Sequence, residues 1–233
     1  MKVYILTLFP EMFSGVFQKS ILKRALDKKL LEINLINIRD FATNRHKTVD
    51  DTPYGGGRGM ILKVDIVIKA LESIKPKPYS ILLSAGGKKF NQHMAKQFSG
   101  KNSLALICGH YEGVDVRVEK FVDTVITVGD FVLTGGEIAA MAIVDSTTRL
   151  IPGVIHPDSL KTESFARSIN HQPSTINLLE YPQYTKPTDF RGLKVPKVLI
   201  SGNHQQIEKW RKEASQKVTR KYRKDLLLSI TGK

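Results

Sequence analysis

This chain is poor in cysteine, and it lacks long apolar runs and the common nucleotide-binding motifs. Its 233 residues include one cysteine, Cys108, which excludes a disulfide-stapled scaffold and a zinc site built from several cysteines. Nowhere do 18 apolar residues run together, so the sequence predicts no membrane-spanning helix. The apolar N-terminal stretch is interrupted by Pro10 and Glu11, which is typical of a first strand rather than a signal peptide. We therefore expect a soluble protein of the reducing cytoplasm.

Several enzyme classes are excluded because their motifs are absent. The chain has no GxxxxGK[ST], GxSxG or HExxH pattern, which argues against P-loop nucleotidases, serine hydrolases and zinc metalloproteases. The GGGRGM segment at 55–60 has Met60 where a dinucleotide fingerprint needs its third glycine. His110 and Glu112 match half of a zinc-deaminase motif, but a single cysteine cannot complete it. These exclusions leave two possibilities, a cofactor such as S-adenosylmethionine or no cofactor at all.

Acidic residues are too few to balance the basic ones. Thirty-six Lys and Arg stand against 22 Asp and Glu, a formal charge of +14. The last 73 residues carry 15 basic and 6 acidic side chains, whereas the first 160 carry 21 and 16. A polyanionic partner near the C-terminus would explain this excess. The alternative explanation is that the proteins of the source organism are basic in general, which would give the same net charge without a polyanionic partner.

Strand-like and helix-like patterns alternate over the first 150 residues, which predicts an α/β fold with a mostly parallel sheet. A helix-like stretch opens at Pro10 and runs to Ala25, residues 44–60 are predicted as a loop, and residues 156–190 as a linker. Strands are predicted over Val3–Leu8, Leu31–Ile38, Tyr79–Ser84, Leu104–Cys108 and Val122–Val128. Further helices are predicted over Val64–Leu71, Asn91–Phe98, Val114–Phe121, Gly136–Leu150, Asn203–Lys217 and Tyr222–Ile230.

Glycines cluster directly after three of the predicted strands. The clusters are Gly86–Gly87, Gly109 with Gly113, and Gly129 with Gly135 and Gly136. Ligands of open α/β sheets bind at the carboxyl ends of strands, and glycine lets the backbone approach them closely. The pattern indicates one ligand held largely by main chain, although ordinary turn glycines are the alternative for any single loop.

Six segments in order along the chain closely resemble the bacterial tRNA (guanine-N1)-methyltransferase family of the SPOUT class. They are LFPEMF (8–13), RHKTVDDTPYGGGRGM (45–60), ICGHYEGVDVRV (107–118), VGDFVLTGGE (128–137), DSTTRLIPGV (145–154) and SGNHQQIEKWR (201–211). The resemblance implies a SPOUT-type parallel sheet with a C-terminal trefoil knot, plus a small helical C-terminal domain. It also implies a homodimer with a methyltransferase domain over residues 1–160, a flexible linker over 161–182 and a basic tRNA-binding domain over 183–233.

The resemblance further implies S-adenosylmethionine bound in the knot, and a magnesium ion whose site the sequence does not give. Ala85 and Gly86 stand where Pro and Gln are common in the family, and Phe131 replaces a common Tyr. The implied cofactor-binding residues are Leu83, Ser84, Gly87, Gly109, Tyr111, Glu112, Thr127, Val128, Gly129, Asp130, Phe131, Val132, Leu133, Gly135 and Gly136.

By the same resemblance, the product is N1-methylguanosine just 3′ of the anticodon. Guanine N1 carries a proton at neutral pH, so a general base must remove it. Glu163, where the family has Asp, is the predicted base, with Asp158 as the next choice. Arg149 is predicted to stabilise the charge that develops on O6. Without the resemblance, Glu163 would read as a solvated carboxylate and Arg149 as a cation suited to a helix C-terminus.

The basic C-terminal region is predicted to bind tRNA phosphates, although a solvated helix face would show the same charges. Trp210 is predicted to be a packing anchor, and the loop around Arg45, His46, Asp50 and Asp51 to lie at a subunit or tRNA interface. The predicted RNA-binding residues are Lys209, Arg211, Lys212, Lys217, Arg220, Lys221, Arg223 and Lys224.

Two other functions compete with this prediction. A non-catalytic RNA-binding protein, such as a ribosome-assembly factor, would explain the charge and the loss of the usual Asp at position 163. It would not explain three glycine-rich loops together with Glu112 and Arg149. A SPOUT methyltransferase acting on ribosomal RNA is the second alternative, and the loop at 53–60 favours tRNA by resemblance.

Overall fold

The computed structural model describes residues 1–166 and 177–228. The chain divides into two compact units, Met1–Ile155 and His156–Lys233. Within the described ranges, no helix is both long and apolar enough to cross a membrane.

The first unit is built on five parallel strands in the order β2-β1-β6-β5-β7. The central strands read as nearly continuous apolar runs, because both faces of a parallel sheet are covered. This confirms the predicted α/β class and parallel sheet. The strands are β1 (Lys2–Thr7), β2 (Glu32–Asn37), β5 (Tyr79–Lys89), β6 (Ser103–Cys108) and β7 (Thr124–Thr127).

Two hydrophobic clusters cover the two faces of the sheet. Alternate residues of one strand enter different clusters: Val3 and Ile5 belong to one, and Leu6 to the other. The first cluster includes buried residues of α1 (Ser20–Asp27), α3 (Gln92–Ser99) and α4 (Glu137–Thr148), and the second those of α2 (Val64–Glu72). Short 3-10 helices complete the unit at Pro10–Phe13, Ile38–Phe41 and Val116–Lys120.

Several predicted elements differ from the structure, and the helix predicted over Val114–Phe121 is a shorter 3-10 helix, Val116–Lys120. The single helix expected from Pro10 to Ala25 is wrong, because Lys19 is extended and Ser20 has a φ of 54°, so a 3-10 turn and α1 form separately. The loop at 44–60 is partly ordered by a short antiparallel pair, β3 (Asp50–Asp51) with β4 (Ile61–Leu62). Val49, which is fully buried, anchors its first half.

Strand β5 is longer than the predicted Tyr79–Ser84 and is interrupted. Its pairing with β7 runs to Leu83 opposite Ile126 and resumes with Lys88 opposite the same Ile126. Residues 84–87 therefore leave the ladder as a wide bulge. The bulge lies at the carboxyl end of the strand, on the edge of the sheet where the glycine clusters predict a ligand.

The second unit contains more regular structure than the predicted linker over 156–190. Helix α5 (Ser159–Thr162) and the antiparallel hairpin β8 (Asp189–Phe190) with β9 (Leu193–Lys194) lie in or beside it, followed by a 3-10 turn at Lys197–Ile200. Helix α6 (His204–Tyr222) extends the first predicted C-terminal helix by five residues, and α7 (Asp225–Leu228) follows. The rest of the predicted helix to Ile230, and residues 167–176 of the predicted flexible linker, lie outside the described residues.

Candidate functional site

The bulge of β5 at residues 84–87 and the loops after β6 and β7 enclose a cavity of about 290 Å³, here called the strand-end cavity. Parallel strands bring their carboxyl ends to one edge of the sheet, which places the three glycine-rich loops side by side. The Gly136 N–H donates to the carbonyl of Gly109 at 2.8 Å, and His110 forms a bridge with Gly135. The second and third loops are therefore joined by backbone hydrogen bonds.

Most of the fifteen residues predicted to bind the cofactor line this cavity. Gly87, Gly129 and Asp130 do not. Asp130 is exposed and pairs with Lys89 instead. The twelve that line it are Leu83, Ser84, Gly109, Tyr111, Glu112, Thr127, Val128, Phe131, Val132, Leu133, Gly135 and Gly136.

Two glycines of these loops lie where no side chain fits. A Cβ on Gly87 would lie 2.5 Å from the backbone nitrogen of Ile126. A Cβ on Gly136 would lie 2.7 Å from Cα of Cys108. Both obstacles are backbone atoms of the sheet, which cannot rotate away. These glycines are needed for close backbone approach at the strand ends.

Gly129 acts differently, through a neighbouring ring. A Cβ there would lie 2.3 Å from Cε1 of Phe131, whose side chain lines the cavity and is exposed. The Thr127 hydroxyl donates to the Gly129 carbonyl at 2.8 Å and fixes the start of this loop. The absence of a side chain at Gly129 therefore leaves room for the Phe131 ring in the cavity wall.

The polar loop at 44–60 is tied to the cavity by its second half. The Glu112 N–H donates to the Met60 carbonyl at 3.1 Å, and the Leu62 N–H donates to the Gly113 carbonyl at 3.0 Å. A Cβ on Gly59 would lie 2.3 Å from Cγ of Glu112. The loop therefore supports the backbone that carries Tyr111, which has a φ of 58°.

Sequence reasoning did not find a buried polar group behind the cavity. Glu137 is 1% exposed, and its Oε1 accepts a hydrogen bond from the hydroxyl of buried Thr7 at 2.7 Å. Nδ1 of His110 lies 3.9 Å from Glu137 Oε2. Burial, followed by the proximity of Glu137, raises the pKa of the Cys108 thiol well above its ordinary value. The one available signal was an acid directly before the apolar run Ile138–Val144.

Arg149 and Glu163 belong to different units. Arg149 caps the carboxyl end of α4 and is half-buried, and its N–H donates to the Asp145 carbonyl at 3.3 Å. Glu163 ends α5 and is also half-buried. Each lies at the end of a helix that fixes its backbone.

Glu163 begins a tight turn with an unusual backbone. Its carbonyl accepts from the Ala166 N–H at 3.1 Å, and Phe165 has a φ of 64°, which is uncommon for a bulky residue. The Ser164 hydroxyl accepts from the Glu180 N–H at 2.9 Å. Strained residues of this kind concentrate at functional sites.

Asp158, the alternative base, is chemically less suited. A hydrogen bond and ion pair with Lys161, at 2.6 Å, hold the pKa of its carboxyl below the ordinary value. A lowered pKa makes a carboxylate a weaker base at neutral pH. This observation favours Glu163 over Asp158.

The predicted RNA-binding residues lie on or just after α6. Arg211 is half-buried, pairs with Glu208 at 2.6 Å and stacks over Tyr181 at 4.9 Å, so it has a structural role in the helix. Arg223 pairs with Asp225 at 2.6 Å but stays exposed. Trp210 is half-buried and 6.2 Å from the Tyr184 ring, which supports packing. The other exposed members are Lys209, Lys212, Lys217, Arg220, Lys221 and Lys224.

Comparisons with known proteins agree over almost the whole chain. A family model described as tRNA (Guanine-1)-methyltransferase TrmD matches residues 1–229. The tRNA (guanine-N(1)-)-methyltransferase of Carboxydothermus hydrogenoformans is 54% identical over 230 residues, which is 97% of this chain and 87% of that protein. The proteins of the same name from Dictyoglomus turgidum and Thermus thermophilus are 52% and 44% identical. They match 97% of this chain each, over 90% and 92% of their own lengths.

Proposed function

Because the chain belongs to the tRNA (guanine-1)-methyltransferase family, we propose that it methylates N1 of the guanosine just 3′ of the anticodon in tRNA. The methyl donor is S-adenosylmethionine, which supplies a methyl group bonded to a positively charged sulfur. The observation that carries the proposal is the strand-end cavity, where three glycine-rich loops meet beside backbone that excludes side chains. A tRNA substrate also favours a cytoplasmic location.

The cavity fits such a cofactor by the chemistry of its walls. Its lining includes apolar residues of β5 and β7 that suit a flat base, namely Leu82, Leu83 and Ile126. Tyr111 also lines it, and its ring is exposed. Glu112 and Glu119 supply carboxylates that complement a positively charged ligand. We also propose the trefoil knot that the family resemblance implies, with which the close backbone passages at Gly87 and Gly136 are compatible.

In the proposed reaction, the carboxylate of Glu163 accepts the N1 proton of guanine, which makes N1 a nucleophile. The charge that spreads to O6 is stabilised by the Arg149 guanidinium. The loops around the cavity hold the two reactants in line and exclude water, and this orientation supplies much of the acceleration. Residues 1–166 and 177–228 hold no group of three or more His, Cys, Asp or Glu side chains arranged for a metal ion. The proposed reaction assigns no step to magnesium.

The function is tested with purified protein, labelled S-adenosylmethionine and two tRNA transcripts that differ only in G or A just 3′ of the anticodon. We expect one methyl group per tRNA with G and none with A. A methyl on N1 blocks Watson–Crick pairing, so a reverse-transcription stop at that nucleotide locates it. Cofactor binding without transfer would support a non-catalytic RNA-binding protein instead. Transfer to a ribosomal RNA fragment alone would support the rRNA enzyme.

We also propose that the protein works as a homodimer. The segment Ile138–Val144 of α4 is apolar on every side, yet Ile138 is 51% exposed at its start. Met12, in the 3-10 turn that packs on α4, and Phe131 and Val132 nearby in sequence are exposed as well. A helix with apolar residues all round is normally buried, and a second copy would cover this face.

Ile138→Glu should convert the dimer to a monomer of 26.1 kDa in sedimentation experiments. The added charge would have to be buried unpaired in the interface, which costs several kcal/mol (about 2–5). Ile200→Glu is the matched control, because Ile200 is a 61% exposed isoleucine of the other unit. A wild-type protein that sediments as a monomer would contradict the proposal.

A further inference from the structure

The β8–β9 hairpin of the second unit has a two-residue tip formed by Arg191 and Gly192. Phe190 pairs with Leu193, and both tip residues have positive φ, 53° and 82°. Two positive values identify a type I′ turn, the tight connection that matches strand twist. The Gly192 N–H donates to Asp189 Oδ1 at 2.9 Å, which closes the turn. The tip is therefore a defined tight turn rather than an irregular loop.

Arginine is a poor choice for the first tip position of such a turn. Asn, Asp and Gly are preferred there, because a larger side chain in the left-handed region is strained. The Arg191 guanidinium carbon lies 5.2 Å from the centroid of the Phe190 ring, and that ring is 56% exposed. This cation–π contact stabilises only weakly at an exposed site and leaves much of the ring open to solvent. An aromatic face and a planar cation are kept at the tip against the local backbone preference, which points to a ligand.

The charge around the hairpin indicates which ligand. The second unit carries 15 Lys and Arg against 7 Asp and Glu over residues 156–233. Lys186, Lys194 and Lys197 flank the hairpin, while Asp189 is engaged by the turn and lies 3.9 Å from Lys194. An exposed aromatic ring and a guanidinium among cations are what proteins use to stack unpaired bases. A second copy of this basic unit would be repelled.

We propose that the tip of the β8–β9 hairpin is a stacking site for an unpaired base of the tRNA substrate. The proposal relies on the proposed function only for the identity of the RNA. Phe190 and Arg191 supply the stacking planes, and the surrounding lysines hold the phosphates on either side. The site adds affinity for single-stranded RNA in particular. Phosphate contacts alone would not distinguish single-stranded RNA from a duplex.

Phe190→Ala is the main test, with binding measured over a range of salt concentrations. We expect about 5- to 100-fold weaker binding of the tRNA transcript and of a single-stranded RNA of about 12 nucleotides, because one stacked base is lost. Binding to a duplex of the same sequence should not change. Stacking releases no counterions, so the slope of log Kd against log salt should stay the same. Phe190→Trp should restore binding, and Ile200→Ala, which trims another exposed side chain of this unit, should have no effect.

A second variant tests the phosphate contacts. It replaces four cations by Gln, namely Arg220, Lys221, Arg223 and Lys224. Loss of four cations should flatten the salt slope by roughly 3. The two variants therefore separate stacking from phosphate binding within one assay.

Arg191→Asn separates a ligand role from a structural one. Asn is favoured in the left-handed region, so the variant should keep or raise the melting temperature while it weakens tRNA binding. A lower melting temperature with unchanged binding would mean that Arg191 serves the fold, and would overturn the proposal.

Unchanged RNA affinity in a folded Phe190→Ala protein would also overturn the stacking site, and so would a change in oligomeric state without a change in RNA binding. Methyl transfer by the wild-type protein at saturating tRNA is measured in parallel. If it succeeds while Phe190→Ala binds normally, only the stacking site is wrong. If it fails while Phe190→Ala loses single-stranded RNA, the proposed reaction is wrong and the site stands.

Discussion

Glu163→Gln should slow single-turnover methyl transfer by about 10²- to 10⁴-fold, the usual loss when a general base is removed. The amide keeps the size of the side chain and much of its hydrogen bonding, so the Glu163–Ala166 turn should persist. Affinities for tRNA and cofactor should therefore stay near those of the wild type. Measurement with both reactants saturating isolates the proton transfer from binding.

Two matched variants make this result decisive. Glu163→Asp should keep most of the activity, because it keeps a carboxylate and supplies the Asp that the family resemblance gives at this position. Asp158→Asn should have little effect, since Lys161 already makes Asp158 a weak base. A Glu163→Gln protein that reacts at the wild-type rate would show that another group takes the proton, and a slow Asp158→Asn protein would identify it.

Gly87→Ala should lower the free energy of unfolding by about 3 kcal/mol, at the upper end of overpacking costs. Its new Cβ would meet backbone atoms of Ile126 at 2.5 Å, so β5 and β7 must move apart. Gly87 does not line the strand-end cavity, yet cofactor affinity should fall with stability because the displaced strands form its floor. Chemical denaturation and calorimetric titration of S-adenosylmethionine check the two effects.

Gly86→Ala is the control, one residue away in the same bulge. No atom lies within 4 Å of the position its Cβ would take, so this variant should unfold and bind as the wild type does. Equal losses in both variants would mean that the bulge is sensitive to any alanine. Normal stability of Gly87→Ala would contradict the close backbone passage itself.

The sheet could be predicted from the sequence because its signals are local. Buried parallel strands are short apolar runs, and Gly87, Gly109 and Gly136 mark their carboxyl ends. That is sufficient to place the candidate cofactor site at one edge of the sheet. The roles of Arg149 and Glu163 came from family resemblance, since neither residue stands out by spacing.

Other features depend on contacts between distant residues or on backbone angles. The hydrogen bond from Thr7 to Glu137 joins residues 130 positions apart, and nothing near either residue indicates it. The break between Pro10 and Ala25 depends on the positive φ of Ser20, a residue that also fits a helix by composition. The hairpin at 189–194 was hidden because Arg occupies a turn position where Asn or Gly is the usual signal.

The bulge at residues 84–87 affects which amino-acid substitutions this protein can tolerate during evolution. Ser84, Ala85 and Gly86 are exposed and stand outside the strand pairing, so their peptide groups are free of the ladder. No atom lies within 4 Å of a Cβ built on Gly86. A ligand recognised through peptide groups is indifferent to side-chain identity, which explains how Ala85 and Gly86 can replace the more common Pro and Gln. Substitutions should therefore be tolerated at the very place where we propose that the cofactor is held. An inhibitor that forms its hydrogen bonds with this backbone should keep them when a side chain is substituted. Resistance by a single substitution should therefore be rare.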